Sequence, residues 1–215
     1  MKQAYFITAT DTDAGKTYIA SALVNHFAQL GLKSVGMKPI AAGCEWVDGV
    51  LQNSDVLQLR QASNVDAPLS LINPYAFQPP IAPHIAAQRV GAEIVLEKIQ
   101  QAFTQLSQRA DVVIVEGAGG FLVPLNDTQT MADLAANLNI PVILVVGMRL
   151  GCINHALLSV QAIQARGLTL AGWVANQIDP NMAMLTENIQ TLKQRIHVPC
   201  LAEVAWGQTP QFTGV

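Results

Sequence analysis

Residues 5 to 17 read Tyr-Phe-Ile-Thr-Ala-Thr-Asp-Thr-Asp-Ala-Gly-Lys-Thr, a short apolar strand that runs into a polar loop ending in Gly15-Lys16-Thr17. The residues that follow place Ile19, Leu23, Phe27 and Leu30 along one stripe of a helix, which stops at Gly31. A strand joined to a helix through such a loop restricts the fold severely. The loop's backbone N–H groups and the positive end of the helix converge on one point above the strand, and that point suits phosphate. Lys16 is spaced to reach the outer phosphates of a nucleoside triphosphate, and the Thr17 hydroxyl to ligate Mg²⁺. The chain is therefore expected to bind ATP or GTP. The usual pattern has glycine five places before Gly15; here Thr10 stands there, after Ala9, and the strand-loop-helix context carries the assignment.

Runs rich in β-branched residues recur at 4–8, 34–38, 111–115, 142–146 and 170–175. Segments of helical period lie between them: Ile94, Val95, Ile99, Ala102, Phe103 and Leu106 share one face, as do Ile153, Leu157, Val160 and Ile163 before Gly167. This alternation predicts an α/β fold, a doubly wound, mostly parallel sheet of the P-loop NTPase type with helices on both faces. A length of 215 residues suits a single domain, residues 1–215. Such sheets bind ligands at the carboxyl ends of their strands. There the sequence places the phosphate loop, Lys38-Pro39, Glu116-Gly117-Ala118-Gly119-Gly120, residues 147–151 and Asn176. Residues 73–84, with Pro74, Pro79, Pro80 and Pro83, suit neither regular helix nor central strand and are read as an ordered excursion over that edge.

With 51% hydrophobic and 13% charged residues, the chain reads as a compact globule with a large interior or with further surface buried in an oligomer, and dimerisation is expected. The net charge of −3 and the scattered basic residues give no footprint for a nucleic-acid backbone. Cys44, Cys152 and Cys200 show no metal-ligand spacing and follow no secretory signal. They are read as reduced, buried, small apolar residues of a cytoplasmic protein. The longest strongly apolar run, residues 141–146, falls far short of the roughly 20 residues that span a bilayer, so no membrane partner is expected.

Several residues at the carboxyl edge carry chemistry. Glu116 ends a buried strand and precedes glycines that let a ligand approach the backbone, so it suits Mg²⁺ as well as a solvated strand end. Asn53-Ser54-Asp55 reads first as a helix N-cap. Lys38, held extended by Pro39, either aims its ammonium at the phosphates or lies on the surface. Leu150-Gly151-Cys152-Ile153-Asn154-His155 turns into a helix whose free N–H groups can hold an anion. For His84 a capping or packing role is expected, for His26 the wet face of the first helix, and for Trp173 and Trp206 packing.

Taken in order, Thr10-Asp11-Thr12-Asp13-Ala14-Gly15-Lys16-Thr17, Lys38-Pro39-Ile40-Ala41-Ala42-Gly43, Asn53-Ser54-Asp55, Asn73-Pro74-Tyr75, Pro83-His84, Val115-Glu116-Gly117-Ala118-Gly119-Gly120, Leu150 to His155 and Gly172-Trp173-Val174-Ala175-Asn176 closely resemble dethiobiotin synthetases. The resemblance runs from residue 4 to about residue 206. It implies closure of a cyclic urea from 7,8-diaminopelargonic acid and CO₂ with ATP and Mg²⁺, through a carbamic-phosphoric anhydride. By the same resemblance Lys16 and Lys38 are the catalytic lysines, and Thr17, Asp55 and Glu116 are Mg²⁺ ligands. Asp13, Ala14, Gly15, Lys16, Thr17 and Tyr18 would surround the phosphates, and Glu116, Gly117, Ala118 and Gly119 would line nucleotide and substrate. Asn176 and Gln177 would meet the adenine, with Val204, Ala205 and Trp206 nearby. Thr12, Lys38, Ala42 and Gly119 would touch the substrate, whose carboxylate would be received by Gly151, Cys152, Ile153 and Asn154 across a homodimer interface.

The chain departs from that pattern at Ala9, Asp13, Ala42, Ala82 and Ala205. Ala42 lacks a hydroxyl usual at that place, a loss of about 1 kcal/mol in substrate binding. Two other functions share the sheet. A nucleotide switch of the partitioning type would carry a second lysine where this chain has Asp11, and a small-molecule kinase would turn over without bicarbonate.

Overall fold

The computed structural model describes residues 2–215. In chain order the elements are β1 (Gln3–Ala9), α1 (Lys16–Gln29), β2 (Ser34–Met37), β3 (Ile40–Ala42), β4 (Glu45–Val47), β5 (Val50–Gln52), α2 (Ser54–Ala62), α3 (Leu69–Ile72) and β6 (Tyr75–Phe77). There follow α4 (Pro83–Arg89), α5 (Leu96–Arg109), β7 (Val112–Glu116), α6 (Met131–Leu138), β8 (Val142–Met148), α7 (Cys152–Ala165), β9 (Leu170–Gln177), α8 (Leu185–Arg195) and β10 (Cys200–Val204). Six strands form the central sheet in the order β10-β9-β8-β1-β7-β2. Every neighbouring pair in it is parallel.

A parallel sheet needs cover on both faces, and the strand residues alternate between two cores accordingly. Phe6, Val113, Val115, Leu144, Val146 and Trp173 point into the core built with α5, α6, α7 and α8. Ile7, Ile114, Ile143, Val145 and Val174 point into the core built with Ile19, Leu23 and Phe27 of α1. The chain leaves β1 toward the β2 edge, returns through β7, and then crosses β1 to β8. The phosphate loop therefore stands where the strand order reverses, the usual ligand position in such sheets.

The predicted helical stripes need correction in three helices. Leu30 is 63% exposed, because α1 ends one residue earlier and Gly31, at φ 82°, turns the chain away. The closing bonds, Gly31 N–H to Ala28 O and Leu32 N–H to Phe27 O, form a glycine C-cap, so the stop itself falls where expected. Ile94 and Val95 precede α5, which buries Leu96, Ile99, Ala102 and Leu106. On α7 the deeply buried set is Cys152, Ala156, Val160 and Ile163, with Ile153 and Leu157 packed at its margin. Cys44 and Cys152 are buried as expected, whereas Cys200 is only partly so. His26 is half-buried, not on a wet face, because Phe212 of the C-terminal segment packs against its ring.

The proline-rich excursion is ordered around β6, which pairs with β3 in a separate two-stranded sheet. The Tyr75 hydroxyl accepts a bond from the Val95 N–H at 2.9 Å, and the Lys98 ammonium lies 4.3 Å from the ring centre. The small hairpin of β4 and β5 turns through Asp48 and Gly49, both at positive φ. β10 joins the sheet beside β9 with Gly172 packed directly beneath Leu201. A methyl group on Gly172 would stand 2.6 to 2.8 Å from three Leu201 side-chain atoms. Gly172→Ala is therefore expected to destabilise the protein by about 1–3 kcal/mol through overpacking, read as a lower urea midpoint with unchanged m.

Candidate functional site

Gly15 adopts φ 85° at the start of α1, and no side chain caps the helix there. The first-turn N–H groups are thereby left facing the cleft, the arrangement that favours an anion. The loop before it is held from several sides. Asn176 of β9 donates from Nδ2 to Ala14 O at 2.9 Å, the Gly147 N–H donates to Thr10 Oγ1 at 3.2 Å, and Arg149 pairs with Asp11. A Cβ on Gly15 would lie 2.1 Å from Asn176 Nδ2, so the position admits only glycine on steric as well as conformational grounds.

Facing this loop is a cluster of charge. Lys38, at the end of β2, is 5% exposed and donates from Nζ to Glu116 Oε1 at 2.5 Å and to Asp55 Oδ2 at 2.9 Å. Thr17 Oγ1 donates to the same Glu116 oxygen at 2.8 Å. The Asn53 side chain caps α2 by accepting from the Asp55 and Val56 N–H groups, and its amide donates to Ala42 O at 3.1 Å. The capping motif and the charged site are thus one device: Asn53 caps, and the cap points Asp55 at Lys38.

The electrostatics follow from burial and proximity. Burial lowers the Lys16 pKa to about 8, with the Lys38 ammonium adding to the effect and Glu116, Asp55 and Asp13 offsetting part of it. Burial also works against the charge on Lys38, but Glu116 and Asp55 outweigh it and leave that ammonium above the ordinary lysine range. Burial pushes the Asp55 carboxyl up, and the Lys38 ammonium more than reverses this, leaving it below the usual carboxylate range.

Thr17, Asp55 and Glu116 present hard oxygen donors at one place. Glu116 Oε2 is buried with no hydrogen-bond partner, an acceptor of the kind a hard cation would use. Among the described residues there is no cluster of three or more His, Cys, Asp or Glu able to hold a metal by itself. The donor set therefore fits Mg²⁺, which takes one or two carboxylates and completes its shell with phosphate oxygens and water.

A cleft of about 860 Å³ joins these groups. Of the residues selected from the sequence, Thr12, Asp13, Gly15, Lys16, Thr17, Tyr18, Lys38, Ala42, Asp55, Glu116, Ala118 and Gly119 line it, and Pro80, Ala82 and Pro83 of the proline-rich excursion form one wall. Gln58 and Val123 line it too, without a signal in the sequence that marks them. Asn176 lies behind the loop with its amide committed to Ala14, and Gln177 ends β9, Val204 ends β10, and Ala205 and Trp206 follow it, all outside the lining of the cleft. Gly151, Cys152, Ile153 and Asn154 sit on a different surface, at the start of α7. There Leu150 is 95% exposed beside a second cavity, of about 480 Å³, lined by Thr12, Leu122, His155 and Leu158. Asp11, marked in the sequence only as part of the loop motif and as the place of the absent second lysine, accepts through its carbonyl from Lys16 Nζ at 3.3 Å while its carboxylate meets Arg149 and His155.

Comparison with known proteins agrees with this geometry. A family model described as an AAA domain matches residues 3–210. In structure, the septum site-determining protein MinD of Pyrococcus horikoshii, complexed with Mg-ADP, superposes with a TM-score of 0.57 at 14% identity, over 95% of this chain and 82% of that one. The cell division protein FtsY of Thermotoga maritima gives 0.56 at 14% identity, over 100% and 66%. These two establish the P-loop NTPase type of fold. In sequence, the ATP-dependent dethiobiotin synthetase BioD of Aromatoleum aromaticum is 55% identical over 202 residues, 94% of this chain and 90% of that protein. Those of Nitrosospira multiformis and Xylella fastidiosa are 54% and 48% identical over 97% of this chain and 90% of theirs. At that identity across nearly the whole length, the chain belongs to the ATP-dependent dethiobiotin synthetase family.

Proposed function

We propose that this chain is an ATP-dependent dethiobiotin synthetase of biotin biosynthesis, a ligase that forms carbon–nitrogen bonds from 7,8-diaminopelargonic acid and CO₂. The observation that carries the reading is the meeting of Lys16, Lys38, Thr17, Asp55 and Glu116 in one cleft at the mouth of the phosphate loop. All of residues 1–215 serve as one domain, working in the cytoplasm. Among the described residues no helix is long and apolar enough to cross a membrane.

In the reaction an amine of the substrate takes up CO₂ and loses a proton to give a carbamate. The carbamate oxygen attacks the γ-phosphorus of ATP, and the bond to ADP breaks. The neighbouring amine then attacks the carbonyl carbon of the resulting anhydride, closing the urea and expelling phosphate. No enzyme nucleophile is required, so the protein's part is positioning and charge neutralisation. The first-turn N–H groups of α1 and Lys16 bind the phosphates. Lys38, kept charged by its two carboxylates, faces the transferring phosphoryl group and the carbamate. Thr17, Asp55 and Glu116 would hold Mg²⁺, which when bound neutralises charge on the phosphate oxygens. Thr12, Ala42 and Gly119 border the place of the diamine.

A homodimer completes the site in this reading. Leu150, Leu158 and Leu122 are 95%, 55% and 56% exposed, an apolar surface around the start of α7 that a second copy would cover. Gly151, Cys152, Ile153 and Asn154 would then offer the free N–H groups of α7 to the substrate carboxylate bound in the partner.

The direct test supplies ATP, Mg²⁺, labelled bicarbonate and the diamine and identifies the product. Acid-stable label in a cyclic urea is expected, and ATP turnover indifferent to bicarbonate would refute the assignment. Lys16→Ala and Lys38→Ala should each lower kcat by about 10²–10³, the loss typical when one preorganised charge stabiliser is removed. A second expectation concerns protons. Free Lys16, with its pKa near 8, is partly neutral in mildly alkaline solution, and polyphosphate returns it toward the ordinary value of 10.5. Nucleotide binding should therefore take up about half a proton at pH 8, more at pH 9 and little at pH 7. Calorimetry in buffers of different ionisation enthalpy measures this uptake, and a value that does not change over that range would contradict the placement of Lys16.

A further inference from the structure

β2 is the outermost strand of the central sheet on its side and pairs only with β7. Its pairing ends with Met37 opposite Val115, one residue before Lys38. At such an edge every second residue turns its N–H and C=O away from the sheet, and where the edge is buried those groups need other partners. Lys38 is a residue of this kind, 5% exposed. Its N–H donates to Ile72 O at 2.9 Å, and its C=O accepts from Asn73 Nδ2 at 2.7 Å.

The second hydrogen of the Asn73 amide goes to Tyr75 O at 3.0 Å, and the Tyr75 N–H donates to Pro39 O at 3.1 Å. Asn73 is itself held, since it closes α3 with its own N–H on Leu69 O at 2.7 Å, and Pro74 after it excludes a helical backbone. An asparagine suits this buried place for a definite reason. Two carbonyl oxygens must be satisfied from one short, neutral group that carries two donors. A carboxylate would set its own oxygens against both carbonyls, and leucine has the shape without the hydrogens. At the far end of the same strip a second asparagine does similar work, Asn53 Nδ2 donating to Ala42 O at 3.1 Å.

We propose that Asn73 is a positioning residue for Lys38: its amide fixes the Lys38-Pro39 backbone, and through it the ammonium that faces the transferring phosphoryl group. The Lys38 Nζ contacts, at 2.5 Å to Glu116 and 2.9 Å to Asp55, would be lost by a backbone shift of about 1 Å. The same amide ties Lys38 to the head of the proline-rich excursion, whose Pro80, Ala82 and Pro83 wall the cleft. The inference rests on the role given to Lys38 above, and the test separates the two.

Rates of urea formation from ATP, Mg²⁺, labelled bicarbonate and the diamine are measured on wild type, Asn73→Leu, Lys38→Ala and the double variant. Asn73→Leu is expected to lower kcat about tenfold, short of the loss from removing Lys38 itself. The KM for ATP should stay within about twofold, because Lys16 and the first turn of α1 bind the phosphates. In the Lys38→Ala background the same change should lower the remaining rate less than about twofold, since its effect passes through the missing ammonium. A general loosening of the fold would cost the same factor in both backgrounds. Asn73→Ser, whose smaller side chain leaves room for water at the two carbonyls, replaces the leucine variant if that one does not fold. An equal loss in both backgrounds, or an unchanged kcat in the single variant, would overturn the inference and leave the proposed function standing. Wild-type protein without bicarbonate-dependent turnover would remove the function, and the inference with it.

Discussion

The carboxyl edge of this sheet is organised around one buried ion pair, between the Lys38 ammonium and the Glu116 carboxylate, whose side chains are 6% and 0% exposed. A charge this deep is tolerated only when it is paired and hydrogen-bonded. β2 and β7 are adjacent and in register, Met37 opposite Val115, so their ends deliver the two groups side by side. Asp55 joins from the capped start of α2, and Thr17 from the first turn of α1. Removing Lys38 would leave the Glu116 carboxylate buried without a countercharge, whereas Lys38 retains Asp55 if Glu116 is lost and Glu116 if Asp55 is lost, so the two carboxylates hold the ammonium from two sides.

The phosphate loop depends on a second constraint, the contact between Asn176 and the loop backbone. β9 and β1 are separated by β8, yet the Asn176 amide reaches Ala14 across the small residue Gly147. An added Cβ on Gly147 would stand 3.0 Å from the Ala14 side chain. Small residues at 14, 15 and 147 are thus a packing requirement of the loop, beyond their fitness for phosphate. Packed beneath the loop, Lys16 is buried, and that burial, together with the nearby Lys38 ammonium, lowers its affinity for protons while Glu116, Asp55 and Asp13 offset part of the effect.

The main chemistry was legible from sequence because it is local. Gly15-Lys16-Thr17, Lys38-Pro39 and the strand ending in Glu116 each mark a strand end in a few residues, and the periodicity of α1 is strong. The hairpin of β4 and β5 and the edge strand β10 were not legible, since runs of three residues, or a mixed Cys-Leu-Ala-Glu-Val after proline, carry no clear period. Leu30 and the margins of α7 were misjudged because a helical stripe does not say where the neighbouring element stops. Asp55 showed its cap and hid its second partner, which lies 17 residues away in sequence.

What the sequence determined alone is the parallel α/β sheet, the place of the phosphate loop on it and the family, because these follow from local spacing and from the joint order of many short motifs. What only the tertiary structure decided is which groups meet. Lys38 is held by Asp55 and Glu116, Asn176 is turned to the loop backbone, and Asn73 reaches the Lys38 carbonyl. Such contacts join residues distant in the chain, and they are set by strand order and by the packing of helices on the sheet, which no local pattern encodes.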